Sequence, residues 1–154
     1  MRTKEVRIVV DGDSCPVKAE IANTARAHNV PVLMVSSYDH FLRAEEGVTV
    51  VQVDRSSQSA DLFIANYIAS GDVVITQDYG LAALALAKSC AVLSPRGDTF
   101  HAGNIEYLLE RRHHHAKARR GGKYAKGPRP FTEEDRHFFQ QELTKVLLDL
   151  QEND

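Results

Sequence analysis

The stretch Val6-Arg7-Ile8-Val9-Val10-Asp11-Gly12-Asp13-Ser14-Cys15-Pro16 joins an apolar run to a loop that carries two carboxylates. Residues 6–10 are predicted to form a strand, and Pro16 suits the first turn of a helix, where its missing N–H is no loss. Two carboxylates within about 4 Å of each other repel by ~4 kcal/mol at an effective dielectric constant near 20, so a crowded pair calls for a cation or a proton. The stretch therefore predicts a site where a strand leads into a helix.

Outward from this stretch, strands alternate with helical patterns, which is typical of βαβ units and a parallel sheet. Besides 6–10, strands are expected at 31–36, 48–53, 73–76 and 91–93, and helices from 16 to about 29 and at 60–69, 81–88 and 105–115. The expected fold class is α/β, with three layers (α/β/α) around a mainly parallel five-stranded sheet.

A C-terminal helix is expected at about 132–152. Thr132 is its predicted cap and Asp135 its capping-box partner, and its apolar stripe comprises Phe139, Leu143, Val146, Leu147 and Leu150. A chain of 154 residues with 43% hydrophobic content can bury its own core. We therefore expect residues 1–154 to form a single domain, with a basic loop at about 116–131 before the last helix.

Cysteine use and hydropathy indicate the compartment. Cys15 and Cys90 show no paired spacing, and the N-terminal residues do not resemble a signal peptide. The longest apolar stretch, around 81–87, is far shorter than the roughly 20 residues of a membrane-spanning helix. The expected location is the cytoplasm, without membrane association.

The net charge of −2 hides a strongly basic segment, residues 111–129, which contains no Asp or Glu. Its eight cations leave −10 on the rest of the chain. A local positive field attracts polyanions, so RNA or another nucleic acid is the expected partner. The predicted phosphate contacts are Arg96, Arg111, Arg112, Lys117, Arg119, Arg120, Lys123, Lys126 and Arg129.

Acidic residues follow two of the predicted strands. Asp11 and Asp13 come after the first strand and Asp78 after the fourth, while Asp61 lies in the first turn of the helix between them. If those strands are neighbours where the strand order reverses, the acids converge at the carboxyl edge of the sheet. Carboxylates there suit Mg²⁺ or Mn²⁺, although each acid could instead only cap a helix or a turn. Asp72 is expected at the opposite edge.

Other residues are weaker candidates. Cys15 lies near a helix N-terminus, which favours a thiolate, but a structural role is favoured. His113 to His115 are consecutive and cannot all face one ion from a helix, so adventitious metal binding is favoured. Ser14 and Thr76 are expected to support the acids, and His40 and His101 are possible phosphate or general-acid groups.

Several motifs together carry a resemblance to a known family: Val10-Asp11-Gly12-Asp13-Ser14-Cys15-Pro16-Val17, Ser59-Ala60-Asp61, residues 71–82 with Thr76-Gln77-Asp78-Tyr79-Gly80, Leu93-Ser94-Pro95-Arg96-Gly97, and Gly121-Gly122 leading to Gly127-Pro128-Arg129-Pro130-Phe131. They resemble the YaiI/YqxD family of bacterial proteins, whose function is uncharacterised. The sheet and acids of that family resemble those of PIN and NYN nucleases.

The resemblance to PIN-like nucleases implies a set of roles. It implies a PIN-like domain that holds a divalent metal ion and hydrolyses RNA phosphodiesters through Asp11, Asp61 and Asp78, with Thr76 in support. The fourth acid that those nucleases often place after Thr-x-Asp has no clear counterpart here, and Asp98 and Asp13 are the candidates for it.

Two alternatives stay open. A strand followed by Asp-x-Asp also begins the haloacid-dehalogenase-like phosphatases, in which Asp11 would be the nucleophile and Asp13 the acid/base. The Gly71-Asp72 pair, however, precedes its strand, whereas those enzymes place it after one. The third possibility is a non-catalytic, metal-containing RNA-binding module. Thr76-x-Asp78 after a short buried strand favours the metal-dependent nuclease.

Overall fold

The computed structural model describes residues 5–13, 15–37, 46–54, 57–106, 108–110 and 130–152. The strands are β1 Ile8–Asp11, β2 Val32–Ser37, β3 Val48–Val53, β4 Val73–Ile75, β5 Ala91–Leu93 and β6 Thr99–Phe100. The helices are α1 Lys18–Ala27, α2 Ser57–Tyr67, α3 Tyr79–Ala87 and α5 Glu133–Glu152, and the helical residues 102–106 and 108–110 are together labelled α4.

The strands form one sheet in the order β3-β2-β1-β4-β5-β6. Neighbouring strands from β3 through to β5 are parallel, and β6 pairs antiparallel with β5. The predicted α/β class with a mainly parallel sheet is therefore confirmed. The two-residue strand β6 was not predicted, because so short a segment has no periodicity to detect.

The chain runs from β1 outward to β3 and then returns to place β4 on the other side of β1. The strand order thus reverses between β1 and β4, which are paired in the register Val10 to Ile75. Open parallel sheets bind ligands at the carboxyl ends of the strands next to such a reversal. The expectation that the first and fourth strands are neighbours is confirmed.

Helices cover both faces of the sheet, and this explains the continuous apolar character of its central strands. Ile8 and Val10 pack with Phe139 of α5 on one face, whereas Val9 and Val74 pack with residues of α2 and α3 on the other. These central side chains are fully buried. Each contributes about 1.5–3 kcal/mol of hydrophobic stabilisation, and together they fix the edge on which the acids lie.

The last helix begins with the predicted capping box. The Thr132 backbone N–H donates to the Asp135 carboxylate (2.9 Å), and the Asp135 N–H donates to the Thr132 hydroxyl (3.2 Å). Phe139, Leu143 and Leu147 are fully buried along the predicted stripe. The capping box and this stripe hold the start of α5 close to the carboxyl end of the sheet.

Several predicted boundaries differ from the structure. The second helix begins at Ser57 rather than 60, and the third begins at Tyr79 rather than 81 because Asp78 is its cap. The expected helix 105–115 is already helical from 102, and its residues 111–115 lie outside the described part. Most of the predicted basic loop lies outside it as well. None of the helices that the structure describes has both the length and the apolar character needed to cross a membrane.

Candidate active site at the carboxyl edge of the sheet

The ends of β1 and β4 are linked through Thr76. Its buried hydroxyl donates to Asp11 Oδ2 (3.2 Å) and accepts from the backbone N–H of Asp78 (3.0 Å). The parallel pairing of Val10 with Ile75 brings these residues together, since strands β1 and β4 both end within one residue of this pair. Thr76 thereby fixes the Asp11 carboxylate and the start of the next loop relative to each other.

Asp78 is the N-cap of α3. Its Oδ1 atom accepts hydrogen bonds from the backbone N–H groups of Gly80 (2.8 Å) and Leu81 (3.2 Å). These N–H groups have no partner within the helix, and the helix dipole favours a negative charge at this end. Asp78 is therefore a helix cap, as one of its two sequence interpretations had it, and its Oδ1 atom makes the capping bonds. These bonds fix the carboxylate at the edge of the sheet.

Asp61 reaches the same place from α2. Partial burial, a hydrogen bond with the Asp78 side chain and the negative charges of Asp78 and Asp11 raise the pKa of Asp61 to about 6. A hydrogen bond between two carboxyl groups requires a proton on one of them. A proton on Asp61 is thus held more tightly than on an isolated carboxyl group.

Asp11 lies in the most enclosed position of the cluster. Burial raises its pKa, and the negative charges of Asp13 and Asp78 raise it further, while hydrogen bonds from the Thr76 hydroxyl and the Asp13 backbone N–H act in the opposite direction. Hydrogen bonds to an ionised carboxylate stabilise the charge, but here burial outweighs them. The negative charge at Asp11 is thus incompletely compensated by the side chains around it.

Asp13 has a structural partner on the neighbouring strand. Its Oδ1 atom accepts from the backbone N–H of Ser37 (2.8 Å) at the end of β2, and the adjacent Gly12 N–H donates to Val35 O (2.8 Å). Both bonds attach the loop after β1 to β2. The structure therefore gives Asp13 a role in positioning this loop, and its negative charge still reaches Asp11.

The donor set suits a hard divalent cation. Mg²⁺ and Mn²⁺ prefer carboxylate and hydroxyl oxygens, and Mg²⁺ is commonly held by only one or two carboxylates together with water and substrate phosphate. The elevated pKa values of Asp11 and Asp61 are the electrostatic counterpart of such a site. Among the residues that the structure describes, no group of three or more His, Cys, Asp or Glu is arranged closely enough to hold an ion by itself.

Asp98 and Arg96 lie further along the sheet, in the turn between β5 and β6. Ser94 Oγ donates to the Asp98 carboxylate (3.5 Å), and the Arg96 guanidinium pairs with Asp135 (3.1 Å) and lies over the Phe131 ring. Neither Asp98 nor Arg96 is among the groups that shift the pKa of Asp11 or Asp61. A phosphate bound at Arg96 would have to compete with Asp135 for the guanidinium.

Some predictions fall outside the described residues or at the opposite edge. Several predicted residues lie outside the described part of the chain: the supporting residue Ser14, the histidines His40 and His113 to His115, and every predicted phosphate contact except Arg96. Asp72 is fully buried and pairs with Arg7 (2.9 Å) at the start of β4. The expectation that Asp72 lies at the edge away from the acids is therefore confirmed.

The structural interpretation of Cys15 agrees with its surroundings. The side chain is buried, and burial raises the pKa of its thiol to about 11, against the smaller effects of a backbone N–H and Lys18. A thiol with such a pKa is almost entirely protonated at neutral pH and is a poor nucleophile. Proximity to a helix N-terminus is outweighed here by the apolar environment.

A cavity of about 800 Å³ lies between the turn that joins β5 to β6 and the first half of α5, and sequence reasoning did not find it. Gln77 and Tyr79, which flank Asp78, contribute to its lining, and Phe138 lies on its far side. The available signal was Phe138, which directly precedes the buried stripe residue Phe139 but is 46% exposed. A single exposed aromatic residue is common on protein surfaces, so this signal alone does not identify a pocket.

Comparisons with known proteins identify relatives across nearly the whole chain. The profile of the family described as uncharacterized BCR, YaiI/YqxD, matches residues 9–149. A UPF0178 protein of Halalkalibacterium halodurans is 46% identical over 94% of this chain and 92% of its own length, and one from Bacillus velezensis is 44% identical over 96% and 88%. A crystal structure of Rae1 (YacP) from Bacillus subtilis covers 97% of this chain and 100% of its own, with 17% identity and a TM-score of 0.43.

Proposed function

The chain belongs to the YaiI/YqxD family, and from the acidic site of this member we propose that it is a divalent-metal-dependent ribonuclease. The observation that carries the proposal is the convergence of Asp11, Asp61 and Asp78 at the strand-order reversal, with raised pKa values at Asp11 and Asp61. Excess negative charge at this edge of the sheet suits a cation that also binds a phosphate.

The proposed ligands of Mg²⁺ or Mn²⁺ are one or two carboxylates from among Asp11, Asp61 and Asp78, with water and substrate phosphate as the remaining ligands. When bound, the ion would supply positive charge that lowers the pKa of a bound water molecule and stabilises the charge developing on the phosphate. Thr76 holds the Asp11 carboxylate in one orientation through its hydroxyl hydrogen bond. The cap on α3 does the same for Asp78.

In the proposed hydrolysis a water oxygen attacks phosphorus and an ester P–O bond breaks. The water proton passes to a carboxylate of the Asp61–Asp78 pair, and the departing alkoxide takes a proton from solvent.

RNA is the proposed substrate and the cytoplasm the proposed location. The basic segment 111–129 carries eight cations and no acid, which suits contact with a phosphate backbone. Cys15 and Cys90 are both buried, and neither is part of a disulfide bond. Free thiols are typical of a reducing compartment.

The phosphatase alternative receives less support. Asp13 is engaged with the Ser37 N–H, and Asp72 is paired with Arg7 at the opposite edge from Asp11. The Gly71-Asp72 pair is therefore not available to an Asp11 nucleophile, and Asp98 of Gly97-Asp98 is not among the groups that shift the pKa of Asp11. Trapping of a phosphoryl group on Asp11 from a small phosphate ester would nonetheless establish that alternative.

The test is cleavage of a panel of labelled single-stranded and structured RNAs with Mg²⁺ or Mn²⁺. We expect Asp11→Asn to reduce cleavage by at least about 100-fold, because it removes a proposed ligand of the ion that stabilises the developing negative charge, and the loss of such stabilisation costs roughly 3 kcal/mol. Asp149→Asn, an exposed carboxylate on α5, is the matched control and should leave the rate unchanged. Cleavage that survives Asp11→Asn would disprove the proposed site, and salt-sensitive RNA binding without turnover would favour the binding module.

A further inference from the structure

The 800 Å³ cavity beside the acidic cluster has the size of a small-molecule binding site. It lies beyond β4 in the sheet order, below the turn between β5 and β6 and against the N-terminal part of α5. None of the roles assigned above to the acidic cluster uses this space. Its walls therefore need an explanation of their own.

Residues next to the acids in sequence contribute to the walls of the cavity. Gln77 and Tyr79 line it, and Asp78 lies between them in sequence. Pro16, at the end of the loop that begins with Asp11, lines it as well. A polymer whose phosphate lies at Asp78 would thus pass close to residues that line this cavity.

One wall presents an aromatic ring to solvent. Phe138 is 46% exposed and packs over the turn at Gly97, where a Cβ atom would lie 2.6 Å from Phe138 Cδ2. Gly97 has a positive φ of 92° and no side chain, so the ring can lie directly on the turn. Tyr79 and Phe100 form an edge-to-face pair on another wall, with ring centroids 5.6 Å apart. Phe100 is buried, so the exposed Phe138 ring is the one that offers a stacking surface for a base.

The charges on the walls disfavour a phosphate. Arg96 is the cation among the lining residues, and it is engaged by Asp135 and by the Phe131 ring. Two carboxylates, Asp98 and Glu142, also line the cavity, so the negative charges on its walls outnumber the positive charge of Arg96. Glu142 also pairs with Lys145 (3.0 Å). The cavity therefore suits an uncharged ligand that presents N–H donors to a carboxylate.

We propose that this cavity binds one unpaired nucleobase of the RNA substrate, which stacks on Phe138 and donates N–H groups to the Asp98 carboxylate. The inference rests on the proposed ribonuclease function and assigns its base subsite. Guanine fits best, because its adjacent N1–H and N2–H₂ groups match the two oxygens of one carboxylate. Uracil has a single N–H on that edge and fits less well.

The test measures the affinity of fluorescein-labelled oligouridines that carry one guanine, one additional uracil or one abasic site at a fixed position. Asp11→Asn protein with Mg²⁺ is used so that the RNA stays intact. We expect Phe138→Ala to weaken binding of the guanine-containing RNA by about 5- to 100-fold and to leave the abasic RNA unaffected. Leu148→Ala, also an exposed apolar side chain on α5 but not in the cavity lining, should change neither.

The base preference is tested separately with Asp98→Asn, for which Asp149→Asn is the control. We expect the preference for guanine over uracil, about 10-fold or more, to disappear in Asp98→Asn and to persist in the control. Equal binding of all three RNAs by the starting protein, or equal effects of Phe138→Ala and Leu148→Ala, would overturn the subsite while leaving the ribonuclease proposal intact. Base-dependent binding at Phe138 without cleavage by the natural sequence would overturn the ribonuclease proposal and keep the subsite.

Discussion

Replacing Asp61 by Asn should stabilise the metal-free protein at neutral pH. Asp61 shares a hydrogen bond with Asp78 and lies in the field of Asp78 and Asp11, so its ionised form is disfavoured in the folded state. Asn retains the shape and the capacity to donate a hydrogen bond to Asp78 but removes one negative charge. The substitution therefore relieves repulsion without opening a cavity.

The magnitude follows from the rise in the pKa of Asp61 from 3.8 to about 6. Each pKa unit equals about 1.4 kcal/mol, so the rise corresponds to at most about 3 kcal/mol. The Asp61 side chain is only partly buried, and solvent screens the repulsion. We therefore expect Asp61→Asn to raise the free energy of unfolding by roughly 1 kcal/mol above about pH 7.

The sign of the pH dependence is determined by linkage. Between the unfolded pKa of 3.8 and the folded pKa of about 6, the folded state binds more protons than the unfolded state, so stability falls as the pH rises through this range. The natural protein thus loses the stability that the proton on Asp61 provides between about pH 4 and pH 6, whereas Asp61→Asn, which has no such proton to lose, does not. The two proteins should differ least near pH 4.

The assay is urea unfolding followed by far-ultraviolet circular dichroism at several pH values, in the presence of a chelator. Asp149→Asn, which removes an exposed carboxylate from α5, should follow the natural protein at every pH. If Asp61→Asn is less stable than the natural protein above pH 7, or if its advantage does not change between about pH 4 and pH 7, the electrostatic account of the acidic cluster is wrong.

Two further predictions concern the framework. Asp72→Ala should lower the free energy of unfolding by about 3 kcal/mol in the same urea assay, because it leaves Arg7 and the Ala69 N–H without their carboxylate; a loss below about 1 kcal/mol would contradict this. Cys15 should react with a thiol reagent at about pH 8 at least about 100-fold more slowly in the native protein than in urea, since its pKa of about 11 and its burial both suppress the thiolate; equal rates would contradict this account.

The sheet could be predicted because its strands have distinctive sequence patterns. Buried parallel strands are continuous apolar runs, and Val73-Val74-Ile75 is such a run between two helices. The boundary at α3 was missed because Asp78 was considered mainly as a ligand, although an Asp followed by an Ala/Leu-rich segment is also a capping signal. The same carboxylate satisfies both patterns, and sequence alone does not separate them.

The acidic cluster was predictable and the cavity was not, for a physical reason. Asp11 and Asp78 follow strands whose neighbourhood is set by a topological rule, so their proximity follows from chain order. The cavity depends on how α5 packs over the turn at Gly97, and contact between segments about 40 residues apart leaves no local pattern. Phe138 shows its significance only when its exposure is known.

The acids of the cluster are not equivalent, and the difference bears on function. Asp78 stabilises the fold by capping α3, and Asp13 does so by accepting the Ser37 N–H. A structural role therefore explains, at least in part, why an acid stands at each of these two positions. Asp11 and Asp61 have raised pKa values, which means that their ionised forms are less stable in the folded protein than in water. A residue that costs stability at neutral pH is not explained by folding, and substitution by Asn would remove the cost. The functional argument for this edge of the sheet therefore rests on Asp11 and Asp61, while Asp78 and Asp13 hold the surrounding backbone in place.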